Sequence, residues 1–511
     1  MKTTVYACLC KTSIACGFFK CTILKKILIE IHHYLGTFFF LLFLSWFLSG
    51  FVLMYKGFPL LKKSDKIALL KKRTLDTEAF ISPGIVFKND SIESIHSFEI
   101  SYVLNRPVYR VCSNKGRVFS RYATDGAVVR VDVQLAMKIA LEATGVQGDN
   151  VTVSRLDALD QWIPRTSFLK HLPVYNVMLN DVDVTRIYVS SLTGELLSLT
   201  TESDRMWAWL GAIPHWVYFK DIRVHTVFWV QLVSWLSGLG FMMAVTGIVT
   251  GLVRAKKKPK KPFRRFKNNW YNIHYYVGLI FGLFVCTWIF SGLMSMTPFS
   301  WTPSTRLSSS ENNTWQGDAF LWEDFNTVRW NRFKKTVNNS SVKELYLKKF
   351  ASELYVVCVE DVKKTLHCYS EKSGLPSLND YKKVISKLSP TDVIVKSEML
   401  TDYDHYYYSK NNTKTLPVFK ITTSTDKTYY VDPLTTEMLY KCSTKNRIQR
   451  WIYHGLHSLD FNFLTSKGVL WDVVMWFLLL GGTIISLTAT GLGIKFIMRK
   501  STKFLKGLKK E

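Results

Sequence analysis

The sequence predicts an α-helical membrane protein made by internal duplication, with four transmembrane helices and two extracytoplasmic α+β domains. Two observations carry that reading. Four apolar runs, roughly His32–Tyr55, Val224–Val253, Tyr275–Met296 and Val469–Met498, each exceed the ~20 residues needed to cross a ~30 Å hydrocarbon core. The stretch that opens the first run, His32-His33-Tyr34-Leu35-Gly36 leading to Trp46-Phe47-Leu48-Ser49-Gly50, also returns once. It reappears as His274-Tyr275-Tyr276-Val277-Gly278 leading to Trp288-Ile289-Phe290-Ser291-Gly292, displaced by 242 residues. The same displacement relates Arg205, Trp209, His215, Phe219, Trp229 and Thr246 to Arg447, Trp451, His457, Phe461, Trp471 and Thr488. A repeat of fixed period sets the architecture and marks the residues that both halves share. Four of the 11 histidines form two such pairs, His32/His274 and His215/His457.

The net charge of +28 invites a nucleic-acid reading, but its distribution argues against one. Lys25 and Lys26 precede the first run, nine basic and no acidic residues fill Arg254 to Lys267, and seven more basic residues lie between Lys495 and Lys510. Short basic segments beside spans belong on the cytoplasmic side, where the same lysines meet anionic lipid. No nucleic-acid partner is expected, and the bilayer is. Both termini and the short central loop are then cytoplasmic, and two large segments lie outside. In order, the divisions are a tail (1–24), the first span (25–56), an outer domain (57–204), an interfacial helix with the second span (205–253) and a basic loop (254–270). The third span (271–297), a second outer domain (298–446), an interfacial helix with the fourth span (447–498) and a basic tail (499–511) complete the chain.

Cys8, Cys10, Cys16 and Cys21 in the tail fit no standard zinc spacing and have no nearby histidine. The first span is rich in phenylalanine and stops near Lys56-Gly57-Phe58-Pro59. In the first outer segment, Tyr109 to Cys112 and Arg117 to Ser120 flank a turn at Ser113–Gly116 and read as a hairpin. Val133 to Ala143 has apolar residues at helical spacing. Pro173 to Leu179 and Arg186 to Leu197 read as strands with a turn at Thr193-Gly194. A helix followed by antiparallel strands makes a small α+β unit. The second segment repeats this order, Leu416-Pro417-Val418-Phe419 matching Leu172-Pro173-Val174-Tyr175. Cys358 and Cys368 flank a hairpin-like stretch, and an oxidising compartment would permit a disulfide there. Cys112, Cys286 and Cys442 read as buried or spare thiols. Trp209 with His215, and Trp451 with His457, sit just before the second and fourth spans, where tryptophan suits the membrane–water interface.

These features together resemble the PepSY-associated transmembrane-helix family, iron-regulated inner-membrane proteins that include ferric-siderophore reductases. The features that carry the resemblance are His-x-x-x-Gly opening a span (His32/Gly36 and His274/Gly278), the Pro-Val-Tyr…Ile-Tyr-Val…Leu-Thr-Gly-Glu-Leu grammar outside, and Trp…His before the next span. It covers about residues 25 to 500. Thr436 in place of Gly194 and Ala489 in place of Gly247 are departures in the second half. The resemblance implies two PepSY-like domains on the periplasmic side of a bacterial inner membrane and, in the reductase branch, haem b.

Neutral imidazole is a good axial ligand for haem iron, and two opposed imidazoles make a six-coordinate centre suited to electron transfer. His32 and His274 occupy equivalent positions at the inner ends of their helices, and His215 and His457 do so at the outer ends. A pseudo-twofold axis along the membrane normal brings each pair face to face, so two haems per chain lie at two depths. His33, whose counterpart is Tyr275, His454, whose counterpart is Ala212, and His225, whose counterpart is Lys467, are alternates or porphyrin-side contacts.

No dinucleotide fingerprint, P-loop or His-Glu-x-x-His is present, so a reductase of this type takes electrons from a donor protein or quinol. The expected activity is reduction of an extracytoplasmic ferric chelate or siderophore. Two other readings compete: a non-redox PepSY protein that binds a partner such as a peptidase, and a permease for iron chelates or haem. The second is disfavoured by the scarcity of ionisable residues in the spans, with Asp472 the main exception.

Overall fold

The computed structural model describes residues 3–147, 150–256, 263–361, 363–368, 374–409, 414–466 and 468–508, with side chains between 23 and 502 apart from that of residue 462. The side chains of the four N-terminal cysteines, residues 257–262 of the basic loop and residues 509–511 lie outside the described part.

Four helices are long and apolar enough to cross a membrane: Ile23–Leu53, Thr226–Ala255, Asn269–Ser295 and Gly468–Thr502. No proline interrupts the first 58 residues, and the helix that carries the first span runs unbroken over Thr3–Leu53. The segment set apart above as a tail therefore continues that helix. The first span packs on the second and fourth, and the third does the same, so the first and third face each other diagonally across a square bundle. Glycine allows the closest approaches: a Cβ at Gly482 would lie 2.1 Å from the Phe47 ring, and one at Gly481 2.3 Å from that of Phe281.

Outside the spans, each half of the chain builds a four-stranded antiparallel sheet with strands in sequential order. The first comprises Val151–Leu156, Val174–Leu179, Arg186–Ser190 and Leu196–Thr200; the second Ile394–Leu400, Val418–Thr423, Thr428–Asp432 and Glu437–Cys442. A helix packs on each, Val133–Thr144 and Leu378–Leu388. The first is started by the Asp132 carboxylate, which accepts from Leu135 N–H, and stopped by left-handed Gly145. These elements agree with the strands and helix read from the sequence.

The two outer segments are joined by a sheet that the sequence did not announce. Six antiparallel strands run in the order Lys364–Cys368, Glu353–Val359, Glu344–Phe350, Ile95–Val103, Arg106–Ser113, Val118–Tyr122. The central pairing sets Leu345 opposite Ile100 and Leu347 opposite Phe98, three strands from one half against three from the other. One face holds a single core to which both halves contribute Phe98, Tyr109, Leu345 and Val356. The other face carries charge near the junction: Lys66 pairs with Glu195, and Arg110 bonds Glu99 at 3.0 Å and the Thr193 carbonyl at 3.1 Å.

Register decides the open question of a Cys358–Cys368 disulfide against it. Cys358 lies opposite Thr365 and Cys368 opposite Tyr355. Residues 355 and 358 are an odd number apart, so the two sulfurs project from opposite faces, one into the core shared by both halves and the other against the second-half core. Cys286 and Cys442 are buried thiols, and Cys112 is half-buried.

Gly194 turns between the last two strands of its sheet at φ +66°, and a Cβ there would meet Val103 Cγ2 at 2.9 Å. Thr436, its counterpart, adopts the same left-handed conformation at φ +57°. Gly194→Ala should therefore destabilise the protein by about 1–2 kcal/mol from the left-handed conformation alone, with the Val103 contact adding to it. The measurement is the apparent unfolding midpoint of the detergent-purified chain, and an unchanged midpoint would remove the steric account of this turn.

Candidate functional site

The structure brings together the two histidine pairs read from the sequence. The rings of His32 and His274 lie 6.3 Å apart, centre to centre, across the bundle diagonal. Those of His215 and His457 are also 6.3 Å apart, at the other end of the spans. The alternates stand outside both pairs. His33 packs on Phe496 at 6.5 Å, His454 packs on Tyr453 at 5.0 Å and is exposed, and His225 is the exposed residue preceding the second span helix.

Each histidine is held in a similar way by a different span. His32 Nδ1 lies 3.0 Å from the Met243 carbonyl, and His215 Nδ1 lies 3.1 Å from the Trp46 carbonyl and 3.1 Å from Ser49 Oγ. His457 Nδ1 repeats that arrangement with the Trp288 carbonyl and Ser291 Oγ, both at 3.1 Å. His274 Nδ1 lies 3.0 Å from Thr488 Oγ1 and 3.3 Å from the Ile485 carbonyl. A carbonyl oxygen only accepts, so Nδ1 carries the proton in all four rings. The Ser49 and Thr488 hydroxyls donate to carbonyls of their own helices at 2.6 and 2.8 Å, which leaves their lone pairs for the imidazole.

The second ring nitrogen, Nε2, is then an unprotonated acceptor in every case, the tautomer that a metal ligand requires and that such a hydrogen bond enforces. At the outer pair burial lowers the pKa of His215 to about 3, with the proximity of His457 contributing, and burial also lowers that of His457. Both are therefore neutral at physiological pH.

The feature missed in the sequence is the local motif that makes these grips. The acceptor carbonyl at position i is followed by Ser or Thr at i+3 and by Gly or Ala at i+4: Trp46/Ser49/Gly50, Met243/Thr246/Gly247, Trp288/Ser291/Gly292 and Ile485/Thr488/Ala489. At Gly247 the small residue admits the ring to the backbone, whereas a Cβ at Gly292 would only touch His457, at 3.6 Å, and one at Gly50 would meet Leu479. A Cβ at Gly247 would lie 2.6 Å from His32 Cε1. Where Ala489 stands instead, the carbonyl is farther away, at 3.3 Å, and the hydroxyl takes the closer bond. The signal was present as one copy per span, and read together the four copies locate the acceptors.

A cavity of about 720 Å³ surrounds the inner pair, walled mainly by phenylalanine, glycine and aliphatic side chains. That is within the range of small-molecule and cofactor pockets, about 300–1,000 Å³. Along the first span the two pairs are separated by 14 to 17 residues, about 21–26 Å at 1.5 Å per residue.

Neither a scan of protein-family models nor a comparison with curated proteins returns a match for this chain.

Among the described residues no group of three or more His, Cys, Asp or Glu side chains is placed to hold a metal ion. Haem iron needs only two, because the porphyrin supplies the other four nitrogens. The arrangement fits that group. An imidazole nitrogen bonds a metal at about 2 Å, and its ring centre lies roughly 1.1 Å beyond, so two rings on opposite sides of one iron sit about 6.2 Å apart. Both pairs match that spacing.

Gly247→Ala should push the His32 ring off the Met243 carbonyl and leave the outer pair untouched. In a haem titration of the purified apoprotein, one of two sites should weaken by about tenfold or more, in line with the 10- to 100-fold cost of losing an outer-shell partner. Equal weakening of both sites, or of neither, would contradict the local geometry.

Proposed function

We propose that this protein is a dihaem electron-transfer protein of a bacterial inner membrane, of the PepSY-associated transmembrane type, that reduces ferric chelates on the extracytoplasmic side. The observation that carries the reading is the pair of 6.3 Å histidine couples, each ring fixed through Nδ1. Internal duplication is part of the proposal. It is supported by the 242-residue displacement that relates all four histidines and their serine, threonine and carbonyl partners, and by the two four-stranded sheets of like order.

In this mechanism His32 with His274, and His215 with His457, would hold the two haems through Nε2, one pair toward each end of the spans. Bound there, haem iron supplies one-electron chemistry. The helix carbonyls of Met243, Trp46, Trp288 and Ile485 orient the imidazoles, and the hydroxyls of Ser49, Ser291 and Thr488 share that task at three of them. Phe39, Phe43 and Phe47 in the bundle core exclude water from the space between the levels. Low dielectric there strengthens every electrostatic interaction on the path. A quinol or a donor protein on the basic-loop side would supply the electron, and a siderophore or other ferric chelate on the extracytoplasmic side would accept it. Reduction of the iron from Fe(III) to Fe(II) weakens its hold by hard oxygen ligands and releases it.

The deciding measurement is the visible spectrum of the detergent-purified protein, oxidised and dithionite-reduced, with a pyridine haemochrome assay. The expected result is low-spin haem b near two per chain. His32→Ala and His457→Ala should each remove one haem and leave the other. A colourless protein after expression with ample haem would overturn the proposal and favour a partner-binding role for the outer domains.

A further inference from the structure

The inner cavity is chemically polarised along its length, and none of the roles above uses that. On the first span it extends from Ile29 to Phe43, about 21 Å of helix at 1.5 Å per residue. Its deep end is closed by Phe43, Met243 and Val285, all apolar. Its other end, toward the basic loop, is lined by His33, Arg254 and Tyr271. Arg254 lies seven residues beyond Gly247 on the second span, about 10 Å past the level of the His32 ring. Helical side chains lean back toward the N-terminus, which directs this one into the slot. Among the described residues no carboxylate pairs with Arg254; its guanidinium rests over the Phe266 ring at 5.3 Å. Glu30, one residue from Ile29, is not part of the lining.

A planar cation with five N–H donors and no acceptor, at the mouth of an otherwise greasy slot, matches a flat apolar ligand that carries carboxylates along one edge. Resting on the dihaem reading, we propose that Arg254, with His33 and Tyr271 beside it, binds the propionate carboxylates of the inner haem, so that the propionate edge faces the basic loop and the vinyl edge faces the bundle centre. A cation at that edge favours the reduced state, which carries one more negative charge.

The test uses the full-length protein reconstituted with haem b and, in parallel, with its dimethyl ester, which lacks the carboxylates. Arg254→Gln should lower the reduced-to-oxidised ratio of one haem about tenfold at fixed ambient potential, a shift of 59 mV for one electron. Arg254→Lys should retain part of the effect, and an unchanged outer-haem spectrum reports that each variant is folded. Arg254→Gln should also weaken uptake of haem b at that site about tenfold and leave uptake of the dimethyl ester unchanged, because the ester offers the guanidinium no carboxylate. No shift with haem b, or an equal loss of affinity for the ester, would overturn the proposal. A shift that disappears once anionic lipid is removed would instead make Arg254 a headgroup anchor, which also overturns it. Those outcomes leave the dihaem reading standing, whereas a protein that takes up no haem at all removes both.

Discussion

The structure depends on letting an imidazole reach the backbone of a helix whose carbonyls are already engaged in its own ladder. An ordinary residue one turn further along projects its Cβ into that space. Glycine at 247 opens it for His32, glycine at 292 borders the His457 ring, and alanine at 489 leaves the Ile485 carbonyl 3.3 Å from His274. The hydroxyl at i+3 stays close to the helix by donating to a carbonyl of the preceding turn, as Ser49, Thr246, Ser291 and Thr488 all do. In this way each span offers one polar socket on an otherwise apolar surface, and each socket takes a histidine from a different element. Net, such bonds stabilise a fold by only about 1 kcal/mol each. Their larger consequence is orientation, since they fix the tautomer and the direction of Nε2.

Orientation of single rings is not enough, because every pair takes one histidine from each half of the chain. The halves must therefore be registered to within a fraction of an ångström. The six-stranded sheet provides this outside the spans. Its central strands exchange backbone bonds across the junction, and the core beneath them mixes side chains from residues 75–123 with others from 320–358. A sheet whose inner faces are buried resists slippage, since a shift of one residue would turn Leu345 and Leu347 out of the core and Tyr346 into it. The square bundle provides the same registration at the membrane level. The two 6.3 Å spacings thus rest on two separate clamps.

Much of this was legible in the sequence for identifiable reasons. The four spans follow from length and hydropathy, the helix over Val133–Thr144 from periodicity and Asp132, and the histidine pairs from one displacement of 242 residues. The central strand pairing was not legible. Ile95–Val103 and Glu344–Phe350 meet 240 residues apart, and nothing local to either names its neighbour. Whether Cys358 and Cys368 pair was open in the sequence, because proximity in a hairpin says nothing about faces until the register is known. The sockets were visible as letters, since Ser49, Gly50, Thr246 and Thr488 were already landmarks. Their role stayed hidden because a backbone carbonyl has no signature of its own.

The tryptophans of the outer sockets show how the two levels are kept apart. Trp46 and Trp288 each give a carbonyl to an outer histidine, and neither indole N–H has a protein acceptor among the described residues. No protein hydrogen bond therefore accounts for the indoles, and their bulk is what the bundle uses. Side chains on the first and third spans lean toward their N-termini, which carries both rings from the outer level toward the bundle centre, where they pack on Phe43 and Phe47. Phenylalanine would carry no N–H to satisfy, but it is smaller and would open space beside the rings. Space opened beside an imidazole and the serine hydroxyl that bonds it is polar enough to admit water. Filling it with indole keeps the middle of the bundle dry, and a dry middle is what separates two polar levels in one four-helix bundle.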